Sequence, residues 1–418
     1  MRILMISQHY PPFIGGYGMR CAEIAGQLRQ RGHQVLVLAS RDPAAPAAGS
    51  ARGDGALRVL ARRPVAGYQY PGPRDVFTYL GDRAAFLGNW RAAARTARRF
   101  RPDVVCVYQF DELGIDVVQG FQGWGCPVVL DVADLFLCVL GKILREDAGL
   151  LWRTAKSLLF RTFARELDKT DMILIGDHLK ANYVKGGFRP EQMTVIPSGL
   201  DPEYLAPAPP KPGPGTRLLM AGRVHPEKGV DLAVEALAIL NSEGRRRFTL
   251  DVVGPGADEY LAHVRELAQR LGVQDDLRLL GPRDWEDLMT LYERYDLLLF
   301  PSVCEEGFGR TMIEAMARGL PVIASRRGGS TDAITHMADG LLVEPESARA
   351  IAEAVRLIAD VPALRQSMAE QAIAKVKERF NTDRQVLDTE VVLARAVERG
   401  SKGNPSWPSA IGCCSPRR

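Results

Sequence analysis

The sequence has no long hydrophobic run. No stretch approaches the roughly eighteen consecutive apolar residues that a membrane-spanning helix requires, which excludes such a helix. The apolar run at the amino terminus, residues 3–6, is too short for the core of a secretory signal and favours a first buried strand. We therefore expect a cytoplasmic protein.

Cysteine patterns, strong charge and an acidic metal motif are also missing. The seven cysteines show no C-x-x-C spacing, so neither a zinc site nor a disulfide framework is indicated. A net charge of +4 is compatible with a small anionic ligand but too weak to indicate a nucleic-acid partner. No D-x-D sequence occurs, so no carboxylate pair is available in that form for a divalent metal.

What is present is an alternation of strand and helix patterns in both halves of 418 residues, which predicts an α/β protein with two parallel-sheet domains. Six prolines within 202–216 interrupt the alternation and indicate a semi-rigid linker. The predicted strands are 3–6, 34–39, 104–108, 128–130, 172–175 and 193–196, then 217–220, 248–253, 277–279, 297–300 and 322–324.

The predicted organisation is a first domain over 1–200, a linker over 201–216, a second domain over 217–375, a helix over 376–400 that crosses back to the first domain, and a disordered tail over 401–418. Residues 41–56, rich in Ala, Gly and Pro, are predicted to form a mobile loop.

The most informative segment runs from Pro301 to Gly319, between a predicted buried strand and a helix. It therefore lies at the carboxyl end of a parallel sheet, where such sheets bind ligands. Glu306 and Glu314 are spaced to bracket the turn, and a carboxylate can accept hydrogen bonds from vicinal hydroxyls of a sugar. The alternative is an ordinary strand–turn–helix junction with solvated glutamates. Gly307 and Gly309 permit the close approach of a ligand. The amides of the residues at the helix amino terminus can bind phosphate, and these residues are Phe308, Gly309, Arg310 and Thr311.

Neighbouring strands of the second half end in similar turns. Gly222 and Arg223 follow the first of these strands, and Lys228 lies five residues further on. Gly254 and Gly256 end the adjacent strand, and Gly328 and Gly329 end a fourth strand of this half. The two basic side chains can reach a phosphate group at the same sheet edge, although each also fits a solvated surface residue.

Together these elements resemble the retaining GT-B glycosyltransferases of family 4, the glycosyl transferases group 1. The resemblance rests on the E-x7-E element and the G-R-x-x-x-x-K-G element and extends over nearly the whole chain. It implies two Rossmann-like domains that face each other across a cleft, with a nucleotide-sugar donor bound by the second domain.

The resemblance also implies roles for individual residues. Glu314 would hold the ribose hydroxyls, and Glu306 would contact the donor sugar. Arg223 and Lys228 would neutralise the departing diphosphate, while the amides of residues 308–311 would bind its distal phosphate. Preorganised donors of this kind stabilise the charge that develops when the anomeric bond breaks, so we expect transfer without a cofactor or metal. The expected donor is a UDP-sugar, with GDP as the alternative base, and the acceptor is a hydroxyl of a glycan, a lipid-linked sugar or a small metabolite.

In the first half, Gly15 and Gly16 follow the first strand. The segment is close to G-x-G-x-x-G, but residue 21 is cysteine and the strand lies too far upstream, which disfavours a nicotinamide site. We expect these glycines to contact the donor sugar-phosphate instead.

The first half departs from the family pattern after the strand at 128–130. Many relatives have histidine where this sequence has Ala133, followed here by Asp134. Asp134, or the nearby Asp131, is a candidate to contact the donor sugar or to activate the acceptor hydroxyl. The alternative is a strand-end carboxylate without a role.

Two basic segments raise the question of peripheral contact with the inner membrane face. Arginines cluster over residues 91–101, and residues 142–165 mix basic with large apolar side chains. Amphipathic basic helices can bind anionic membrane surfaces, but they more often cover a sheet with their apolar face. Both interpretations stay open at this point.

Two other function classes share the expected fold. One is a sugar-nucleotide epimerase or hydrolase, and the other is a catalytically silent nucleotide-sugar-binding relative. The E-x7-E turn points to transfer rather than epimerisation, and the presence of both glutamates with both basic residues disfavours a silent protein.

Overall fold

The computed structural model describes residues 1–11, 16–41, 56–61, 83–138, 167, 169–205 and 216–400. The predicted mobile loop at 41–56, most of the linker, the basic segment at 142–165 and the tail at 401–418 lie outside the described residues, apart from their edges. The chain divides into two compact units, each built on one parallel sheet.

The first sheet has seven parallel strands in the order β3-β2-β1-β4-β5-β6-β7. Its central strands are buried along their whole length, as expected for a parallel sheet covered on both faces. Val, Ile and Leu dominate them because only apolar side chains can fill both layers. The strands are β1 (Arg2–Ser7), β2 (Gln34–Ser40), β3 (Ala56–Leu60), β4 (Val104–Tyr108), β5 (Val128–Val132), β6 (Asp171–Leu174) and β7 (Met193–Val195).

The second sheet has six parallel strands in the order β10-β9-β8-β11-β12-β13. The strand order reverses between β8 and β11. Open parallel sheets bind ligands beside such a reversal point, at the carboxyl ends of the strands. The strands are β8 (Arg217–Ala221), β9 (Thr249–Val253), β10 (Leu277–Gly281), β11 (Leu297–Phe300), β12 (Val322–Ser325) and β13 (Gly340–Val343).

Helices cover these sheets with their apolar faces. One helix start has a side-chain cap, since Ser347 accepts a hydrogen bond from the Ala350 amide at the start of the helix that follows it. The described α-helices are α1 (Gly16–Gln30), α2 (Arg83–Phe100), α3 (Asp116–Gly123), α4 (Asp177–Lys185), α5 (Val230–Ser242), α6 (Asp258–Arg270), α7 (Trp285–Tyr292), α8 (Arg310–Ala317), α9 (Ser330–Ala333), α10 (Ala348–Asp360), α11 (Pro362–Arg379) and α12 (Thr382–Gly400).

The two units are not continuous in sequence. Described residues up to 175, 179–196 and 386–400 form the first unit, and 176–178 and 197–385 form the second. Most of α12 therefore belongs to the first unit, where Val386, Val392, Leu393 and Ala396 join the core beneath β1 and β4. The carboxyl-terminal segment is thus part of the first unit's hydrophobic core.

The fold departs from the sequence-based expectation in three places. The strands β3 and β13 were not predicted, because each is short and follows a segment rich in turn-forming or polar residues. The helix predicted over 376–400 belongs to two helices, since α11 ends at Arg379 and α12 begins at Thr382. Between them, Asn381 pairs with Leu200, and this bridge interrupts the helix.

Candidate functional site

The E-x7-E segment forms the turn between β11 and α8. Gly309 precedes the helix in the left-handed conformation (φ 79°), which a side chain would disfavour. Its carbonyl accepts the Met312 amide at 2.9 Å, and in the described chain the amides of Phe308 and Thr311 have no backbone acceptor. The start of this eight-residue helix therefore carries amides that donate to no backbone carbonyl of the described chain, an arrangement that suits a phosphate.

The turn after β8 is locked against the turn after β11. Gly229 has a positive φ of 69°, and a Cβ atom there would lie 2.0 Å from the Pro301 carbonyl oxygen. The Val303 amide also donates to the Glu227 carbonyl at 2.9 Å. Only glycine fits at this junction, so Lys228 is held at a fixed place beside the E-x7-E turn.

The remaining two turns are joined to the same set by backbone hydrogen bonds. The Gly329 amide, after β12, donates to the Glu306 carbonyl at 2.8 Å. The Val224 amide, after β8, donates to the Pro255 carbonyl between the predicted glycines Gly254 and Gly256, also at 2.8 Å. The structure therefore brings all four predicted turns together at one edge of the second sheet.

Lys228 and Glu306 form a direct ion pair at this edge. The Lys228 ammonium donates to Glu306 Oε1, which also accepts the Ser302 hydroxyl at 2.8 Å. Both charged side chains keep some exposure, 18% for Lys228 and 15% for Glu306. The pair is thus reachable by a ligand that can exchange contacts with either partner.

Glu314 lies in a different environment. It is 3% exposed, and its carboxylate accepts hydrogen bonds from three side chains. Trp285 Nε1 and Arg310 Nε both donate to Oε1 at 3.0 Å, while the Tyr292 hydroxyl donates to Oε2 at 3.2 Å. Burial and the negative charge of Glu314 raise the pKa of Tyr292, so its hydroxyl stays protonated and remains a donor.

Other predicted donor residues lie on the same turns without a fixed polar partner. Arg223 is exposed after β8, and within the described residues it has neither an ion pair nor a side-chain hydrogen bond. Gly222 precedes it with a positive φ of 137°. Gly307 and Thr311 are half-buried on either side of the α8 amino terminus.

In the first unit, Gly16 is the first residue of α1 and is exposed. A Cβ atom there would meet nothing within 4 Å, so the structure shows open space beside it. Gly15 lies outside the described residues. Further along α1, Gly18 touches the chain after β1, because a Cβ atom there would lie 2.9 Å from the His9 carbonyl oxygen.

Asp131, at the end of β5, belongs to a buried ion pair. Its carboxylate accepts Arg20 Nη2 at 3.1 Å and the Tyr17 hydroxyl at 3.1 Å, and both Arg20 and Asp131 are almost fully buried. Arg20 Nη2 also donates to the Ile196 carbonyl at 3.0 Å. Asp131 thus joins α1, β5 and the end of β7, and its bonds inside the fold leave it unsuited to act as a base.

Asp134 stays at the surface two residues beyond β5. Its Oδ1 accepts the Phe136 amide at 2.8 Å, which fixes the turn, and the side chain remains exposed. Asp111, after the neighbouring strand β4, was not singled out from the sequence. Its pKa is raised to about 7 by burial and by the negative charges of Asp134 and Glu112. The carboxyl ends of β4 and β5 therefore form an acidic region.

With this geometry in place, comparison with known proteins identifies the family. The model for glycosyl transferases group 1 matches residues 205–375, and the model for glycosyltransferase family 4 matches residues 14–204. The chain is also 30% identical over 295 residues to D-inositol 3-phosphate glycosyltransferase 2 of Catenulispora acidiphila, covering 66% of this chain and 67% of that protein. The chain belongs to the family 4 glycosyltransferases.

Further relatives extend the likeness along the whole chain. A glycogen synthase of Mycobacterium tuberculosis is 27% identical over 418 residues, with 98% of both chains covered. HepE of Anabaena, solved in complex with UDP, superposes with a TM-score of 0.70 at 20% identity over 94% of this chain and all of the other. The structural likeness confirms the predicted GT-B fold.

For this family 4 glycosyltransferase, sequence reasoning missed two of the three side chains that donate to Glu314. Trp285 and Tyr292 are seven residues apart and therefore share one face of α7. That spacing places both on one side of the helix but does not show that the face meets a carboxylate. Arg20 was missed because nothing local marks a basic residue that pairs with Asp131 from 111 positions away.

No helix in the described part of this glycosyltransferase is long and apolar enough to cross a membrane. The sequence-based prediction that no helix spans a membrane covers the whole chain, whereas the structural finding covers only the described residues.

Proposed function

We propose that this glycosyltransferase transfers a sugar from a UDP-sugar to an acceptor hydroxyl with retention of anomeric configuration and without a divalent metal. The observation that carries the proposal is the set of interlocked turns at the edge of the second sheet. It combines the Lys228–Glu306 pair, amides without a backbone acceptor at the start of α8 and the buried carboxylate of Glu314.

These groups match the chemistry of a departing nucleoside diphosphate. When the anomeric C–O bond breaks, negative charge develops on the diphosphate, and fixed positive groups there lower the barrier. Lys228 and Arg223 supply full charges, and the α8 amino terminus supplies aligned amides. We assign them the role that a divalent cation would otherwise have.

The carboxylates and the first unit complete the proposal. Glu306 releases part of its contact with Lys228 to a hydroxyl of the donor sugar, and Glu314 holds the nucleotide ribose. Asp134 contacts the donor sugar or the acceptor hydroxyl, and Gly15 and Gly16 lie against the sugar-phosphate. The structures of HepE in complex with UDP and with UDP-glucose support a nucleotide-sugar donor.

The first experiment is thermal unfolding with a panel of nucleoside diphosphates and nucleotide-sugars. A ligand at about 100 times its Kd stabilises a protein by about 2.7 kcal/mol, which is visible as a higher melting temperature. We expect UDP and one UDP-sugar to give the largest shift and Glu314→Ala to abolish it. The matched control is Glu353→Ala, because Glu353 lies exposed on α10. No shift with any nucleotide in the folded wild type would refute the donor site.

Turnover with an acceptor tests the remaining parts of the proposal. We expect activity to survive a chelator and the product to keep the donor's anomeric configuration. Activity abolished by chelation and restored by manganese would overturn metal independence. Release of free sugar at full rate without acceptor would instead indicate a hydrolase.

We also propose a peripheral contact between α2 and an anionic membrane surface. The exposed face of α2 carries Arg91, Arg95, Arg98 and Arg99, none of which has an ion pair in the described chain. Arg95 and Arg99 line a groove of about 640 Å³ with an apolar floor. Arg98 stacks over the Trp124 ring, and Arg95 donates to the Arg91 carbonyl, but neither contact neutralises a charge. Covering the sheet explains the apolar face of the helix but not this set of uncompensated charges, and arginine binds phosphate groups well.

Vesicle flotation tests this contact. We expect binding to vesicles that contain phosphatidylglycerol but not to pure phosphatidylcholine, with loss on adding salt. Replacing Arg95 and Arg99 by glutamine should weaken binding. The matched control replaces Arg265 and Arg270, two exposed arginines of α6, and changes the net charge equally. Equal flotation of both variants would contradict a specific role for α2.

A further inference from the structure

The turn between β11 and α8 makes an aromatic contact that the proposed function does not use. The Phe308 ring packs edge-on against the Phe380 ring, with 5.3 Å between the centroids and 77° between the planes. Both side chains are buried, at 4% and 1% exposure. Edge-to-face pairs of this kind are stabilised by their ring quadrupoles in addition to apolar burial. The contact therefore holds the Phe308 ring against the residue that follows α11.

The backbone of Phe308 is held by a second neighbour. A Cβ atom at Gly329 would lie 2.4 Å from Phe308 Cα, so only glycine lets the turn after β12 come this close. The Phe308 amide donates to no backbone carbonyl of the described chain. Contacts at the ring and at the backbone thus fix the direction in which this amide points.

Phe380 also lies where the chain passes between the two units. The chain enters the main part of the second unit at residues 197–200 and leaves it at residues 380–385, and we call these two stretches the crossing segments. The Phe380 carbonyl accepts the Leu200 amide at 2.8 Å, and the Leu200 carbonyl accepts the Thr382 amide at 3.3 Å. Phe380 therefore contacts the phosphate-binding turn with its ring and joins the crossing segments with its backbone.

The crossing segments fit closely against each other. A Cβ atom at Gly199 would lie 2.6 Å from the Asn381 carbonyl carbon, so a larger residue has no room there. The Gly199 amide also donates to Gln385 Oε1. Because the two segments are joined by these contacts, a shift of Phe380 disturbs both of them.

We infer that Phe380 is a positioning residue that couples the phosphate-binding amides of this turn to the crossing segments. The inference rests on the proposed function, which places the distal phosphate of a nucleoside diphosphate at those amides. A phosphate bound there restricts the turn, the Phe308–Phe380 contact passes the restriction on, and the pairing of Leu200 with Thr382 opens less often. Because coupling between two sites is reciprocal, loosening Phe380 weakens binding of the distal phosphate. The crossing segments therefore respond to a diphosphate but not to a monophosphate.

Amide hydrogen exchange of the full wild-type chain is the first test, because it measures local opening. The probes are saturating UDP and UMP, which lacks the distal phosphate, with GDP and GMP as a second pair. We expect the diphosphate to slow exchange of the Leu200 and Thr382 amides about 3- to 10-fold and the monophosphate to leave it unchanged. Equal protection by both members of a pair, or protection by neither, would overturn the inference.

Phe380→Leu tests the ring, because leucine keeps an apolar side chain and removes the aromatic contact. We expect UDP to bind about 3- to 10-fold more weakly, as the loss of one aromatic pair predicts, and UMP to bind within about twofold of the wild type. The slower exchange caused by UDP should disappear. A merely structural role would weaken both nucleotides equally and leave the ratio of their affinities unchanged.

The double variant Phe308→Leu with Phe380→Leu tests the contact between the rings. Phe308→Leu keeps the backbone amide that the phosphate is proposed to bind. If the ring contact carries the coupling, the double variant has the same UDP-to-UMP affinity ratio as either single variant. Losses that multiply in the double variant would show that the two residues act independently, and would overturn the inference.

Phe248→Leu is the matched control, because Phe248 is a buried ring in the hydrophobic core of the same unit. We expect its affinity ratio and its exchange response to UDP to equal those of the wild type. The failure of the proposed function looks different: neither UDP nor GDP would bind the folded wild-type protein, and the inference would fall with it. Nucleotide binding with an unchanged ratio in Phe380→Leu would overturn the inference alone.

Discussion

The carboxyl ends of the two sheets are built in different ways. In the second unit, glycines and backbone hydrogen bonds join four turns, and each of the two glutamates has a basic partner, Lys228 for Glu306 and Arg310 for Glu314. In the first unit, the ends of β4 and β5 carry Asp111 and Asp134, whose charges repel each other. The difference teaches which ligand groups each edge can receive: the second suits phosphate, and the first suits hydroxyl groups better than phosphate.

The largest expected effect concerns what holds the first edge together. Asp131→Asn should lower the free energy of unfolding by about 3–5 kcal/mol, because it leaves the buried Arg20 guanidinium without its counter-charge. Denaturant unfolding measures this change. The control is Glu390→Gln, which removes the charge from a partly exposed carboxylate that pairs with Arg31 and His33 in the same unit, and it should cost about 1 kcal/mol or less. Similar losses in both variants would mean that breaking the buried Arg20–Asp131 pair costs no more than breaking a pair near the surface.

The next effect tests the second edge. Lys228→Met should reduce kcat by about 10²–10³-fold, since it removes a fixed charge from the departing diphosphate. Steady-state kinetics with the UDP-sugar that the thermal panel selects would show it. The control is Lys375→Met, which breaks the ion pair with Asp339 elsewhere in the second unit. A kcat loss in the control as large as in Lys228→Met would assign the effect to stability instead.

A smaller effect concerns the pH dependence of the first edge. Folding raises the pKa of Asp111 from 3.8 to about 7. The folded protein therefore binds a proton at the Asp111 carboxylate more tightly than the unfolded chain does. Stability should therefore fall as pH rises between about 4 and 7. Asp111→Asn removes this penalty. The full rise in the pKa of Asp111 corresponds to about 4 kcal/mol, and we expect the substitution to recover about half of it, about 2 kcal/mol in the free energy of unfolding at pH 8.

Melting temperatures at pH 8 and pH 5 measure the Asp111 effect. The gain from Asp111→Asn should shrink at the lower pH, where Asp111 is already protonated. A gain of equal size at both values would contradict the raised pKa.

The smallest effect concerns Asp134. Asp134→Asn should lower kcat about tenfold without lowering the melting temperature, because the carbonyl of the new side chain still accepts the Phe136 N–H and the repulsion with Asp111 is relieved. Unchanged turnover would remove Asp134 from the site and leave the first edge without a carboxylate that acts on substrate.

Much of the fold could be predicted from the sequence because parallel sheets leave a clear pattern. Central strands such as β4 and β11 are apolar on both faces and stand out as short runs between turn residues. The edge strand β3 follows a segment rich in Gly and Ala, and its half-exposed pattern gives a weaker signal. The break between α11 and α12 depends on a long-range pairing with Leu200, which no local pattern encodes.

The candidate site was predictable where it depends on local chemistry. The glycine turns and the spacing of Glu306 and Glu314 are visible in the sequence, and the structure shows that the four turns are joined. The partners of Glu314 could not be predicted in the same way. Trp285 meets it only because α7 and α8 pack together, and that packing is decided by the whole core.

The division of the chain between the two units has a consequence for how such enzymes can be recombined. The helix α12 begins in one unit and continues in the core of the other, with the change after Gln385. A chimaera that exchanges the first unit for that of a relative must therefore import two separate gene segments, one for the amino-terminal part and one for the end of α12. A single crossover near residue 200 would pair a foreign sheet with the native Val386, Val392 and Leu393, and the mismatch would fall inside a hydrophobic core.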